Sequence, residues 1–213
     1  MNYKTIAKDT SFEEDIKKSR FICQLKRVNS EEEAREFIAA IKKDYHKSNH
    51  SCSAMIIGQD SQIKRSSDDG EPSGTAGIPM LTVLEKQGLT NVVAVVTRYF
   101  GGIKLGAGGL IRAYSGVVAH ALLQAGLVEV KEQEGIQLEL SYPQYQTLAN
   151  FLAQEGLQEQ DTDFTDKVLT TIYVDPDKVE PTYSALVEFY QGKVSSRKAG
   201  HKIVQVPLDS NSW

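Results

Sequence analysis

Apolar positions recur along the chain with two periods. Ser19 to Val28 alternates, with Phe21, Cys23 and Leu25 on one face, which predicts a half-buried strand. Ser30, followed three residues later by Glu33, forms a capping box. Beyond it Ala34, Phe37, Ile38, Ile41 and Tyr45 recur at spacings of three and four, an amphipathic helix ending near His46. Cys52 to Gln59 and Gln62 to Ser66 read as strands joined at Gly58-Gln59-Asp60-Ser61. Pro79 suits the first residue of a short helix over Met80 to Gln87, closed by Gly88. The uninterrupted apolar run from Asn91 to Thr97 predicts a buried strand. The clearest helix follows, its stripe made by Leu110, Ile111, Tyr114, Val117, Val118, Ala121, Leu122 and Ala125 and its stop by Gly126.

From about Lys131 the composition turns acidic and glutamine-rich, and a second pattern begins. Gly135 to Ser141 alternates as a strand, Pro143 to Gln154 is a helix ended by Gly156, and Leu157 to Phe164 and Lys167 to Val174 are strands. Asp175-Pro176 opens a helix to about Gln191, and Lys193 to Pro207 is a last strand. The order βαββαβ is the ferredoxin-like signature. The expected architecture is therefore α+β in two domains, residues 1–131 and 132–208, with a loose tail at 209–213.

Charge narrows the functions that fit. Formal net charge is -4 over 213 residues, so bulk attraction to polyanions is excluded. The first 130 residues carry 17 Lys and Arg against 15 Asp and Glu, and the remainder 7 against 13. Any nucleic-acid surface must then be a local patch. Residues 1–20 hold no apolar run of the signal-peptide kind, and no span approaches 18 uninterrupted apolar residues, which predicts a soluble, cytoplasmic protein without a membrane partner. The two cysteines, Cys23 and Cys52, sit in predicted strands and read as reduced core residues, which leaves the Asn49-His50-Ser51 glycosylation sequon idle.

Eight of the sixteen glycines fall in two short segments. One is acidic, Asp68-Asp69-Gly70-Glu71-Pro72-Ser73-Gly74-Thr75-Ala76-Gly77; the other is basic, Arg98-Tyr99-Phe100-Gly101-Gly102-Ile103-Lys104-Leu105-Gly106-Ala107-Gly108-Gly109-Leu110. The basic segment joins a strand to a helix start. Its backbone N–H groups, with Arg98, Gly101, Gly102, Lys104, Gly106, Gly108, Gly109 and Arg112, form a candidate anion or RNA site. It fits neither a Walker A loop, since Ala107 follows Gly106, nor the dinucleotide fingerprint, since Ile111 replaces the third glycine. The competing explanation of these glycines is close helix-to-strand packing. In the acidic segment Asp68, Asp69 and Glu71 can hold a hard cation such as Mg²⁺, or can cap turns and helix ends.

Three further groups carry weaker signals. His46, His50 and Cys52 lie close in sequence without the zinc-protease motif and read as core or interfacial side chains. Cys52 with His50 as base is a candidate thiol nucleophile, and no Gly-x-Ser-x-Gly elbow occurs. Lys193, Arg197, Lys198 and Lys202, with His201, form a secondary basic patch, either touching phosphate or guarding an edge strand.

The two glycine segments, continued through Arg112-Ala113-Tyr114-Ser115, closely resemble those of the YigZ/IMPACT family. The resemblance covers the first domain, and bacterial members also have a ferredoxin-like second domain. It implies a left-handed βαβ first domain of the kind shared by a small-subunit ribosomal protein, domain IV of elongation factor G and small-molecule kinases. It further implies a second domain like the ferredoxin-like domains of elongation factor G, and contact with RNA or the ribosome. Eukaryotic IMPACT proteins are translation regulators that compete for the co-activator of the amino-acid-starvation kinase through an added N-terminal domain, so that partner is not carried over. Some bacterial relatives bear a proline-dipeptidase label, but the paired-metal pattern of His and carboxylates that such an enzyme needs is missing from the sequence. The expectation is a binding protein in translation regulation, without cofactor and without DNA sequence readout. The alternatives are a Mg²⁺-dependent enzyme on a phosphorylated small molecule and a protein-protein adaptor.

Overall fold

The computed structural model describes residues 2–209. It divides into two compact units, one running to Val130 and resuming at Gln205, the other spanning Lys131–Val204. Of the tail expected at 209–213, residues 210–213 lie outside the described residues.

The first unit opens with β1 (Asn2–Ile6), β2 (Thr10–Ile16), β3 (Ser19–Arg27) and α1 (Glu31–Asp44). It continues with β4 (His50–Ile57), β5 (Ile63–Ser67), α2 (Gly77–Lys86), β6 (Val92–Tyr99) and α3 (Gly106–Ala125). One sheet has the order β2-β3-β6-β4-β5, with every neighbouring pair antiparallel. It follows that β3 and β4 run parallel with β6 between them and α1 as their crossover, a split βαβ arrangement. The apolar run of β6 has its reason here. Val92, Ala94 and Val96 face a core shared with α2 and α3, while Val93 and Val95 face the layer under α1, so both faces are covered.

Two strands precede the expected ones. β2 pairs with β3 along its whole length, from Thr10 opposite Leu25 to Ile16 opposite Ser19. The hairpin turns through Lys17 and Lys18, both at positive φ (46° and 67°), the geometry that matches strand twist in a two-residue loop.

α2 begins at Gly77, ahead of the Met80 start expected from Pro79. The Asp68 carboxylate accepts from Ala76 N–H (3.1 Å) and Gly77 N–H (2.8 Å), capping the helix from outside its own segment. α3 likewise starts at Gly106, four residues ahead of its apolar stripe.

The second unit takes β7 (Leu127–Leu140) from Lys131 onward, followed by α4 (Tyr142–Glu155), β8 (Glu159–Phe164) and β9 (Val168–Val174). A 3-10 turn (Pro176–Lys178), α5 (Val179–Phe189) and β10 (Ser195–Pro207) complete it. The order β10-β7-β9-β8 is that of a ferredoxin-like sheet, the last strand beside the first. Ile136, Leu138 and Leu140 pack with Phe151, Ile172 and Leu186 to form its core. The second domain was expected to reach residue 208, but the chain rejoins the first unit at Gln205. There Leu208 N–H donates to Leu127 O (2.9 Å) and its side chain packs on the first unit's core. Among the described residues no helix is long and apolar enough to cross a membrane.

Candidate functional site

Near its end, β6 carries Arg98 between Phe21 of β3 and His50 of β4 in the ladder. The Arg98 side chain is only 6% exposed. Its Nη1 donates to Glu71 Oε1 (2.7 Å) and its Nη2 to Ser19 Oγ (3.2 Å). The same Glu71 oxygen accepts from Tyr114 Oη (2.7 Å), and His50 Nε2 lies 3.7 Å from Glu71 Oε2. The guanidinium also lies 5.5 Å from the centres of both the Phe21 and Phe100 rings. Arg98, expected to offer its charge to a phosphate, is thus held by a carboxylate of the acidic loop. Removing such a charge from water is compensated only because the partner and the extra hydrogen bonds are in place.

The acidic loop's other carboxylates are also engaged. Asp68 accepts from the N–H groups of Gly74, Ala76 and Gly77 at 2.8–3.1 Å. Burial pushes its pKa up, but those three bonds outweigh it and hold the carboxyl below its ordinary value. Asp69 accepts from Ser51 N–H (2.7 Å) and Lys42 Nζ (2.8 Å). Burial again opposes and is outweighed, chiefly by the Lys42 bond and the Ser51 N–H. Of the oxygens that the cation site considered for Asp68, Asp69 and Glu71 would use, all but Glu71 Oε2 already accept from backbone donors, Lys42, Arg98 or Tyr114. Among the described residues no three His, Cys, Asp or Glu side chains are grouped to hold a metal ion.

Cys52 donates to Asp68 O (2.9 Å), and burial pushes its pKa up to about 12. Cys52 is fully buried and a protonated thiol is a poor nucleophile, so its surroundings do not favour the chemistry considered for Cys52 and His50. His50 Nδ1 lies 2.9 Å from Asp69 O, while His46, beyond the end of α1, is exposed.

The two glycine segments meet in one cleft of about 420 Å³. Glu71 and Pro72 of the acidic segment, Arg98, Phe100 and Lys104 of the basic segment, and Asn49 and His50 line it. Gly106 and Ala107, at the start of α3, close it. No side chain caps α3, whose N-cap position is Leu105, so its first-turn N–H groups have no side-chain acceptor at that cap. Lys104 is exposed on the cleft wall.

The remaining residues of the predicted site fall elsewhere. Gly101 serves packing: a methyl group there would stand 1.8 Å from the Lys18 carbonyl oxygen. Gly102 follows it in the loop, and Gly108 and Gly109 lie in the first turn of α3 without lining the cleft. Arg112 is exposed but turns back beside Gly108. In the second unit Arg197 donates to Gln137 (2.8 Å), Lys202 donates to Gln160 and lies over the Tyr173 ring, Lys198 is exposed, and Lys193 precedes β10. That basic run is spread along a strand, with no concentration into one site. The sequence reading missed Ser19, Asn49 and Tyr114 as parts of the site; only Tyr114, inside the family-like run, had a signal.

Fold and site together define a two-domain α+β protein whose first domain carries a cleft between its two glycine segments, lined by the buried Glu71-Arg98 pair together with Phe100 and Lys104. The chain belongs to the IMPACT family. Residues 17–122 match the Impact N-terminal domain, and residues 138–193 match a domain of unknown function, DUF1949. It is 43% identical to the IMPACT family member YvyE of Bacillus subtilis over 90% of this chain and 88% of that protein. To the IMPACT family member YigZ of Escherichia coli it is 37% identical over 85% of this chain and 90% of that protein. A crystal structure titled only as that of a hypothetical protein is 32% identical, with TM-score 0.59 over 98% of both chains.

Proposed function

We propose that this protein is a binding protein that regulates translation by docking on RNA of the translation machinery, with the first-domain cleft as its contact. The observation that carries the reading is the meeting of both glycine segments in one cleft, with Lys104 exposed beside the start of α3. An exposed lysine next to a helix start that no side chain caps suits a phosphate, and glycine backbone lets the chain approach it closely. Arg98 acts from behind, as a structural cation neutralised by Glu71. Membership of a family whose eukaryotic members the resemblance identifies as translation regulators supports the same reading.

The test is co-sedimentation with ribosomes and with free RNA across a salt series, comparing wild type with Lys104→Glu. Binding should fall with salt, and the substitution should weaken it and lower the logarithmic salt slope by about one phosphate contact. Absence of binding at low salt, or binding indifferent to Lys104→Glu, overturns the reading.

A further inference from the structure

Phe100 is 45% exposed on the wall of the cleft. Single exposed apolar side chains are ordinary, so exposure alone says little. What sets Phe100 apart is how firmly it is presented. Its backbone N–H donates to Asn49 Oδ1 (2.8 Å), and the next residue, Gly101, is pressed against the Lys18 carbonyl. Its ring lies 5.5 Å from the Arg98 guanidinium, which Glu71 and Ser19 hold in place. An aromatic ring thus lines a cavity of about 420 Å³, within the size range of small-ligand sites, and Lys104 lines the same cavity.

A ring and a cation in one cleft match the two parts of a nucleotide, the π-face of a base and a phosphate. In a duplex the base faces are covered by their neighbours. Only an unpaired nucleotide can offer both parts to a concave site. Resting on the RNA reading proposed above, we infer that the cleft takes an unpaired nucleotide of single-stranded RNA, its base stacked on Phe100 and an adjoining phosphate at Lys104.

Fluorescence anisotropy with a labelled single-stranded RNA of about a dozen nucleotides and a blunt duplex of equal length tests this. Wild type, Phe100→Leu, Phe100→Tyr and Lys104→Glu are compared at low salt, with thermal unfolding as the check on folding. The single strand should bind more tightly than the duplex. Phe100→Leu, which keeps apolar bulk but removes the π-face, should weaken single-strand binding about tenfold, as loss of one stacked base does. Phe100→Tyr should bind like wild type. Equal binding of duplex and single strand, or an unaffected Phe100→Leu, overturns the inference; if Lys104→Glu still weakens binding in that case, the RNA reading stands. No binding to either RNA overturns both, and leaves a protein partner as the occupant to seek.

Discussion

Glu71 ties three side chains of the first domain together. One of its oxygens accepts from both Arg98 and Tyr114, the other faces His50, and the side chain is only 3% exposed. Truncating it to Ala leaves the Arg98 guanidinium buried with only Ser19 as a hydrogen-bonding partner, and removal of one member of a buried pair costs about 3–5 kcal/mol. Glu71→Ala should therefore lower the urea midpoint sharply, whereas Lys104→Glu, at an exposed position, should leave it nearly unchanged. Equal midpoints for Glu71→Ala and wild type would show that the pair does not stabilise the first domain. Arg98 and Glu71 stood out in the sequence as charged residues among glycines, but nothing in the string says that they bind each other 27 positions apart. That pairing depends on the strand order, which sets the acidic loop against the end of β6.

At the scale of elements, the acidic loop acts as the cap of α2. Asp68 gathers three N–H groups, and its folded pKa lies below the ordinary 3.8. A depressed folded value means that the stability it contributes is complete above about pH 4 and is lost as the pH falls below 3.8 through the folded pKa. Stability measured in urea from pH 6 to pH 3 should drop in wild type at the acidic end. In Asp68→Asn, where the amide keeps one acceptor oxygen and loses the other, it should start lower by about 1 kcal/mol, the worth of one lost hydrogen bond, and drop less steeply. Identical slopes would assign the acid loss to other carboxylates. The elements themselves were largely legible, because α1, β6 and α3 each carry an unambiguous apolar period. Their starts were less so. α2 and α3 both begin ahead of their apolar stripes, and β2 hides in a charged segment whose turn is Lys17-Lys18 instead of the Asn-Gly type that marks a hairpin in sequence.

The whole molecule divides where composition changes, near Lys131, yet residues 205–209 return to the first unit. Leu208 packs on that unit's core, and Arg27 donates to Gln205 (3.1 Å). Leu208→Ala should then destabilise the first unit by about 1 kcal/mol, part of the worth of a fully buried leucine, and leave the second unit's unfolding unchanged. Hydrogen exchange read separately for residues 1–130 and 131–204 checks this. Lower protection confined to the second unit would contradict the assignment.

By itself the sequence determined the element types, the ferredoxin-like order of the second unit, the change of domain near Lys131 and the two glycine segments with their family likeness. Those properties are local: periodicity, caps and composition are written in neighbouring residues. Only the tertiary structure decided that both segments wall one cleft, that Arg98 is neutralised while Lys104 remains exposed, that the carboxylates serve as caps and ion-pair partners, and that Leu208 belongs to the first core. Each of these rests on contacts between residues far apart in the chain, brought together by sheet order and by the need to satisfy every buried charge and N–H group.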